Sequence, residues 1–190
     1  MSVKIHLLKP IVAATLITVT FSIPTWAENE AEGALPADML GALRQAEPAE
    51  AKRLADELAV RWEASGSPAM DLLVKRAKDA VARGDMDQAL EHLTALTDHA
   101  PDFAEGWHLR ANAFFQNQQL GLALHDLERT LSLNPNQFQA LFGLGTIMEH
   151  LGKPDLAAEA YRLALAIYPH YEDAKNAIAR IEAQAGGRDL

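Results

Sequence analysis

Six histidines follow residue 90 in this chain, and they are its side chains best suited to metal or acid–base chemistry. His92 and His99 stand seven residues apart. On one helix that is two turns and about 10 Å, too far to share a metal unaided. His125, His150 and His170 fall on other predicted elements, and no two histidines are three or four residues apart, the spacing that puts two ligands on one helix face. Beyond residue 27 the serines are Ser65, Ser67 and Ser132, none in a GxSxG or SxxK setting. The chain has no cysteine, which excludes a thiolate nucleophile, disulfides, haem attachment through a Cys pair and thiolate metal sites. No strand is predicted, so no glycine-rich phosphate loop has the strand it needs. The 26 Asp and Glu are expected mostly on solvated helix faces. The reading is of a protein that is not an enzyme and uses no cofactor or metal.

The first residues carry a different kind of signal. Lys4 and Lys9 make a short basic start, Ile11 to Ile23 is an uncharged and mostly apolar run, and Thr25 and Ala27 are the small pair a signal peptidase reads. Residues 1–27 are therefore expected to be a signal peptide cleaved after Ala27. The rival is a retained anchor, but thirteen residues at ~1.5 Å each reach about 20 Å, short of the ~30 Å hydrocarbon layer. The absence of cysteine excludes a lipid-modified N-terminus. That segment holds two of the 17 Lys and Arg and none of the acids, so the rest of the chain carries 15 bases against 26 acids, a net charge of −11. Such a field opposes nucleic acid and anionic membrane surfaces. No other apolar run is long enough to span a bilayer. The expected place is a bacterial periplasm, with secretion as the alternative.

The elements come next. Pro101, Pro135 and Pro169 recur at one constant interval, and Ala89, Ala123 and Ala157 recur at the same one. Three segments, 70–103, 104–137 and 138–171, each contain two apolar stripes at helical spacing around a turn. A helix pair of this size cannot bury its own face and must stack on the next copy. Before the repeats, 28–34 reads as a disordered acidic leader. Residues 35–66 read as a helical hairpin, with Leu54, Leu58 and Trp62 on one face of its second helix. That hairpin is either an N-terminal cap or a degenerate zeroth repeat. Ser65-Gly66-Ser67-Pro68 separates it from the array at 67–171, and Ser67, Asp102 and Asn136 are expected to cap the helices that follow them. Gly84 and Gly152 share a repeat position suited to ending a helix, where the middle copy has Gln118. Gln137 reads as exposed. Residues 172–185 are expected to form a capping helix on Ala174, Ile178 and Ile181, and 186–190 a loose tail.

The pattern resembles the tetratricopeptide repeat (TPR) family. The middle copy supplies Trp107, Ala111, Phe114, Ala123, Leu127, Thr130 and Pro135 at the family's motif positions. The third supplies Leu141, Gly145, Met148, Ala157, Tyr161, Ala164 and Pro169, and the first Leu73, Ala77, Ala80, Ala89, Leu93, Leu96 and Pro101. Arg76 and Arg110 replace the usual leucine at position seven and read as snorkelling side chains. The resemblance implies an all-α, right-handed superhelical array of antiparallel helix pairs, three TPR repeats between a helical hairpin and a capping helix.

It also implies a ligand groove on the first helices. Its lining is Asp71, Val74, Lys78, Val81 and Ala82, then Glu105, His108, Asn112, Phe115 and Gln116, then Gln139, Phe142, Thr146, Glu149 and His150. Phe115 and Phe142 among hydrogen-bonding groups suit an extended peptide; the competing reading has both rings covering the capping helix. Family members that grip a C-terminal carboxylate use cationic and amide residues at set positions. Asn112 matches one, but Val74, Leu109, Gln139 and Gly143 hold the others, so that activity is not implied. The expected function is a non-catalytic adaptor or scaffold of the cell envelope that binds a protein or extended peptide. The alternative is a structural, self-associating subunit using its convex face or its ends.

Sequencing the N-terminus of native protein should return Glu28. Intact Met1 in a cytoplasmic fraction would overturn the export reading.

Overall fold

The computed structural model describes residues 37–186. The expected signal peptide, the leader and residues 187–190 lie outside them. Nine α-helices form among the described residues: α1 (Ala37–Gln45), α2 (Pro48–Glu63), α3 (Pro68–Ala82), α4 (Met86–His99), α5 (Ala104–Gln116), α6 (Leu120–Leu133), α7 (Phe138–His150), α8 (Pro154–Ile167) and α9 (Glu172–Gly186). The pairs α3–α4, α5–α6 and α7–α8 are the three repeats. They stack through α4 on α5 and α6 on α7, and α8 carries α9. The fold is all-α.

The repeat seams explain the constant interval. Ala89, Ala123 and Ala157 are each 0% exposed, so each pair of helices meets where no side chain larger than a methyl fits. Leu93, Leu127 and Tyr161, four residues further on, fill the space beside them and are equally buried. Each contributes about 1.5–3 kcal/mol by leaving water. On the first helices Ala77 and Ala111 face this layer, and in the third repeat the residue is Gly145. A Cβ there would lie 2.5 Å from the Tyr161 ring. The large Tyr161 is thus matched by a smaller residue opposite, keeping the layer at constant volume.

Within each pair the turn needs one left-handed residue. Gly84 has φ 76° and Gly152 φ 68°. Gln118 adopts φ 62° at the same position, a conformation that costs a non-glycine residue on the order of 1–2 kcal/mol. The caps differ from expectation. Ser67 occupies the cap position of α3 without a side-chain bond, and the caps of α5 and α7 fall one residue later than expected, on Phe103 and Gln137. Asp102 and Asn136 are therefore outside the cap position. Arg129 donates to Asp102 at 3.3 Å, and the Asn136 N–H donates to Asn134 Oδ1 at 3.2 Å. Asp85 does cap α4, accepting from the Gln88 N–H at 3.1 Å.

Arg110 does not snorkel. Its guanidinium donates to both Asp126 oxygens, at 2.7 and 2.9 Å, and to the Thr97 hydroxyl at 2.7 Å. Trp107 lies against it, with 4.8 Å from guanidinium carbon to ring centroid. Asp126 is 1% exposed, so this ion pair ties α5 to α6 and to α4 of the preceding repeat. Arg76, by contrast, is exposed. Gln137 is 0% exposed rather than on the surface, because its carboxamide turns inward and donates to Glu105 on the preceding first helix.

At the far end α9 buries Ala174, Ala177 and Ile181 against Ala157 and Tyr161 of α8. Glu149 of α7 fastens it, accepting from Tyr161 Oη at 2.7 Å and from Arg180 at 2.6 Å. Burial, together with the bond to Glu149, pushes the Tyr161 hydroxyl up to about 12, so it remains a donor. Burial also raises the Glu149 carboxyl, but the bonds from Arg180 and Tyr161 outweigh it and leave its pKa below the ordinary value.

At the near end the hairpin does not stack on α3 as a further repeat would. Ala51, Leu54, Leu58 and Trp62 join a core with Phe138, Leu141, Ile167 and Tyr168, on α7 and the end of α8. Helix α1 touches α8, and α2 reaches α5. Trp62 meets Phe138 with ring centroids 5.5 Å apart.

Gly145→Ala should lower stability by about 1–3 kcal/mol through overpacking against Tyr161. Adding Tyr161→Leu, which restores the pairing of the other two repeats, should recover part of that loss; urea midpoints of the four-member cycle measure the coupling. Glu149→Gln should be less stable than the parent at neutral pH. A carboxylate with a depressed folded-state pKa stabilises above its unfolded value and loses that contribution as pH falls through the folded one. The gap in urea midpoint between the two proteins should therefore close below about pH 4.5, the ordinary carboxyl value.

Candidate functional site

The first helices α3, α5 and α7 present their outward faces side by side, and two depressions lie between them. One, of about 340 Å³, is bounded by His108, Asn112, Phe115, Gln139, Phe142 and Thr146, with Tyr171 at its edge. The other, of about 270 Å³, is bounded by Lys78, Val81, Ala82, Leu109, Asn112 and Gln116. Asn112 borders both, so the two lie next to each other along α5. The lining follows from helix geometry: residues three, four and seven apart on α5 fall on one face, so His108, Asn112 and Phe115 line up.

The groove floor is a polar chain. Glu105 is 7% exposed and His108 8%. Gln137 Nε2 donates to the Glu105 carboxylate, His108 Nδ1 meets the same oxygen at 3.2 Å, and Asn112 Nδ2 lies 3.3 Å from His108 Nε2. This arrangement fits an imidazole whose proton sits on Nδ1, donating to Glu105 and accepting from Asn112. The Asn112 side chain is thereby aimed along the floor, with its carbonyl oxygen and second N–H left for a ligand.

The expected site residues separate into three groups. Asn112, Phe115, Gln116, Gln139, Phe142, Thr146, Lys78 and His108 border the open groove. Asp71 lies where the hairpin joins the array, accepting from the backbone N–H and the hydroxyl of Ser65, and Lys78 pairs with Glu63 of α2 at 2.6 Å. Val74 is buried in the core of the first repeat, with Ala77, Leu93 and Leu96. Glu105 is floor rather than lining, and Glu149 belongs to the α8–α9 fastening described above.

The two phenylalanines are not equivalent. Phe115 is half-buried, with its ring meeting His150 edge-on at 5.1 Å. Phe142 packs on Tyr161 and on Tyr171, the residue before α9, each at 5.2 Å. The capping-helix reading is therefore correct for Phe142 in part, since its ring borders the groove and supports α9 together. Sequence reasoning missed Tyr171 and Gln137. Tyr171 is reachable only by knowing that α9 begins beside α7. Gln137 lies 32 residues after Glu105, the separation of partners across one repeat step. Among the described residues no group of three or more His, Asp or Glu could hold a metal, and no helix is long and apolar enough to cross a membrane.

The chain is similar to several known proteins. It is 31% identical to a TPR repeat-containing protein of Rhizobium etli over 146 residues, 76% of this chain and 72% of that one. Among solved structures, MamA superposes with a TM-score of 0.59 at 24% identity, over 80% of this chain and 81% of that one. The first TPR of Spaghetti (RPAP3), bound to the HSP90 peptide SRMEEVD, gives 0.59 at 22% identity over 62% of this chain and 93% of that one. The TPR2B domain of yeast Sti1, in complex with a pHsp70 partner, gives 0.58 at 18% identity over 62% and 99%. The tetratricopeptide repeat profile matches residues 74–126 and 108–172. Since the profile spans more than half of the chain and the Rhizobium relative matches across most of both lengths, this protein belongs to the tetratricopeptide repeat family.

Proposed function

We propose that the protein is a non-catalytic adaptor of the cell envelope that holds an extended peptide segment of another protein in the groove of α5 and α7. The observation that carries this is the pair of depressions that share Asn112, each lined by apolar side chains together with hydrogen-bonding ones. A peptide laid there buries side chains against Phe115 and Phe142 while Asn112, Gln116, Gln139 and Thr146 meet its backbone. Two structural neighbours were solved with peptides or partners in place, which supports a ligand of the same kind. With export through the N-terminal signal, the adaptor meets its partner in the periplasm or outside the cell.

The charge of the groove narrows the ligand. Lys78 is the only Lys or Arg among the described residues bordering the two depressions, and Glu63 already neutralises it at 2.6 Å. A free C-terminal carboxylate finds no unpaired cation among these lining residues. Neutral or cationic internal segments suit a chain of this acidity better. The alternative of a self-associating subunit has its own observation in Leu122, Leu156 and Leu163, each about half exposed on the second helices. Leu122 and Leu156 share a repeat position, and association through them would leave the groove unused.

Peptides selected from a random library on the immobilised protein provide the test. Phe115→Ala should weaken the selected peptides by about tenfold or more, the loss expected of a buried aromatic anchor, with little change in thermal midpoint. Phe142→Ala should weaken binding and lower the midpoint as well, because that ring also supports Tyr161 and Tyr171. Selected peptides that bind both variants as tightly as the parent would remove the groove from the function.

A further inference from the structure

The hairpin is attached to the array in an unusual way. Its apolar stripe does not rest on α3, the helix that follows it, but on Phe138, Leu141, Ile167 and Tyr168, two whole repeats further along the chain. Towards α3 the links are polar: Glu63 to Lys78, and Ser65 to Asp71. Ser65-Gly66-Ser67 joins the two parts, with Gly66 at φ 73°. Three buried side-chain atoms have no hydrogen-bond partner among the described residues, namely Trp62 Nε1, Gln137 Oε1 and Gln139 Oε1. Trp62 packs on Phe138, the residue between those two glutamines. Trp62 Nε1 and Gln139 Oε1 belong to the two sides of this contact, while the Gln137 carboxamide is turned towards Glu105.

As a contact between two bodies, this is a helix held in a seat. Leu54, Leu58 and Trp62 recur every four residues, the anchor spacing of an amphipathic helix laid in a groove. The ligand and the seat belong to the same chain. Any opening at the serine–glycine hinge exposes both halves of one matched interface on every molecule, the condition for exchange between copies. We infer that the α7–α8 seat is a second binding site, specific for an amphipathic helix, and that the occupant it accepts in exchange for its own α2 is the α2 of a second copy of this chain. This does not rest on the peptide-groove reading. Of the residues bordering the open depression beside α7, only Gln139 and Tyr171 also border the hairpin's edge.

Complementation between full-length chains tests it. Trp62→Ala weakens the helix and leaves the seat whole; Phe138→Ala weakens the seat and leaves the helix whole. Each variant alone should run as a monomer in light scattering across a concentration series. An equimolar mixture should rise towards twice the chain mass, because the hairpin of the Phe138→Ala chain meets an intact seat on the Trp62→Ala chain. A mixture that stays at one chain mass, with both variants still helical by circular dichroism, overturns the inference. Dimerisation of either variant alone to the same extent also overturns it and points to the outer leucines instead. If either alanine substitution unfolds the repeats, the hairpin is permanent core and the seat is not an exchangeable site.

Discussion

The distance at which paired helices approach governs the rest of this molecule. A methyl group at Ala89, Ala123 and Ala157 lets each second helix lie close to its first, and the next layer of Leu93, Leu127 and Tyr161 fills what remains. Because interiors are packed to crystal-like density, that layer admits little change in volume. The third repeat shows the constraint at work: the larger Tyr161 is accommodated by Gly145, whose missing Cβ leaves room for the ring. The gain is a hydroxyl at the seam. From there Tyr161 reaches Glu149, and Glu149 reaches Arg180, so one substitution inside a repeat becomes the fastening of the capping helix. Constant spacing also keeps α3, α5 and α7 side by side, and the groove exists because of it.

The middle repeat uses a different solution. Arg110 and Asp126 occupy two facing positions that are Leu144 and Ala160 in the third copy. A buried ion pair adds little net stability over apolar residues of similar volume, since desolvating both charges offsets most of their attraction. Removing one partner is another matter, because the other is then left charged and buried. The pair therefore acts through geometry. Its bidentate fork and the bond to Thr97 allow one alignment of α4, α5 and α6, and α5 carries His108, Asn112 and Phe115 into the groove at that alignment.

What the sequence made legible follows from which contacts repeat. The positions that pack within and between copies recur at the interval that separates Ala89, Ala123 and Ala157, so their burial could be read before any coordinates. The hairpin lay beyond that reasoning. Leu54, Leu58 and Trp62 show that one face of α2 is buried, but a stripe does not say against what, and its partners sit on α7 and α8. Polar side chains were misjudged for a related reason. Gln137 and Arg110 have the composition of surface residues, and only Glu105 and Asp126, brought close by the fold, make them interior. A signal for the second case was present, since arginine at an apolar repeat position coincides with an aspartate at the facing one. The cap positions at Asp102 and Asn136 failed by a single residue, the usual scale of error at helix ends.

The hairpin's position also divides the face of the first helices by depth along each helix. Near the N-terminal end of α7, Phe138 is buried against α2. One to two turns further on, Asn112, Phe115, Gln116 and Thr146 remain open. A ligand that used the full width of the array would have to compete with α2 for the covered half, whereas one confined to the open half would not. The floor beneath the open half is set by Glu105 through His108 to Asn112, and Gln137 holds Glu105 from the next repeat. Anything that shifts α7 against α5 therefore moves the carboxylate that orients the imidazole, and through it the amide that faces the ligand. The covered and open halves are mechanically joined at α7, since Phe138 and Gln139 in its first turn meet the hairpin while Phe142 and Thr146, one and two turns on, line the groove.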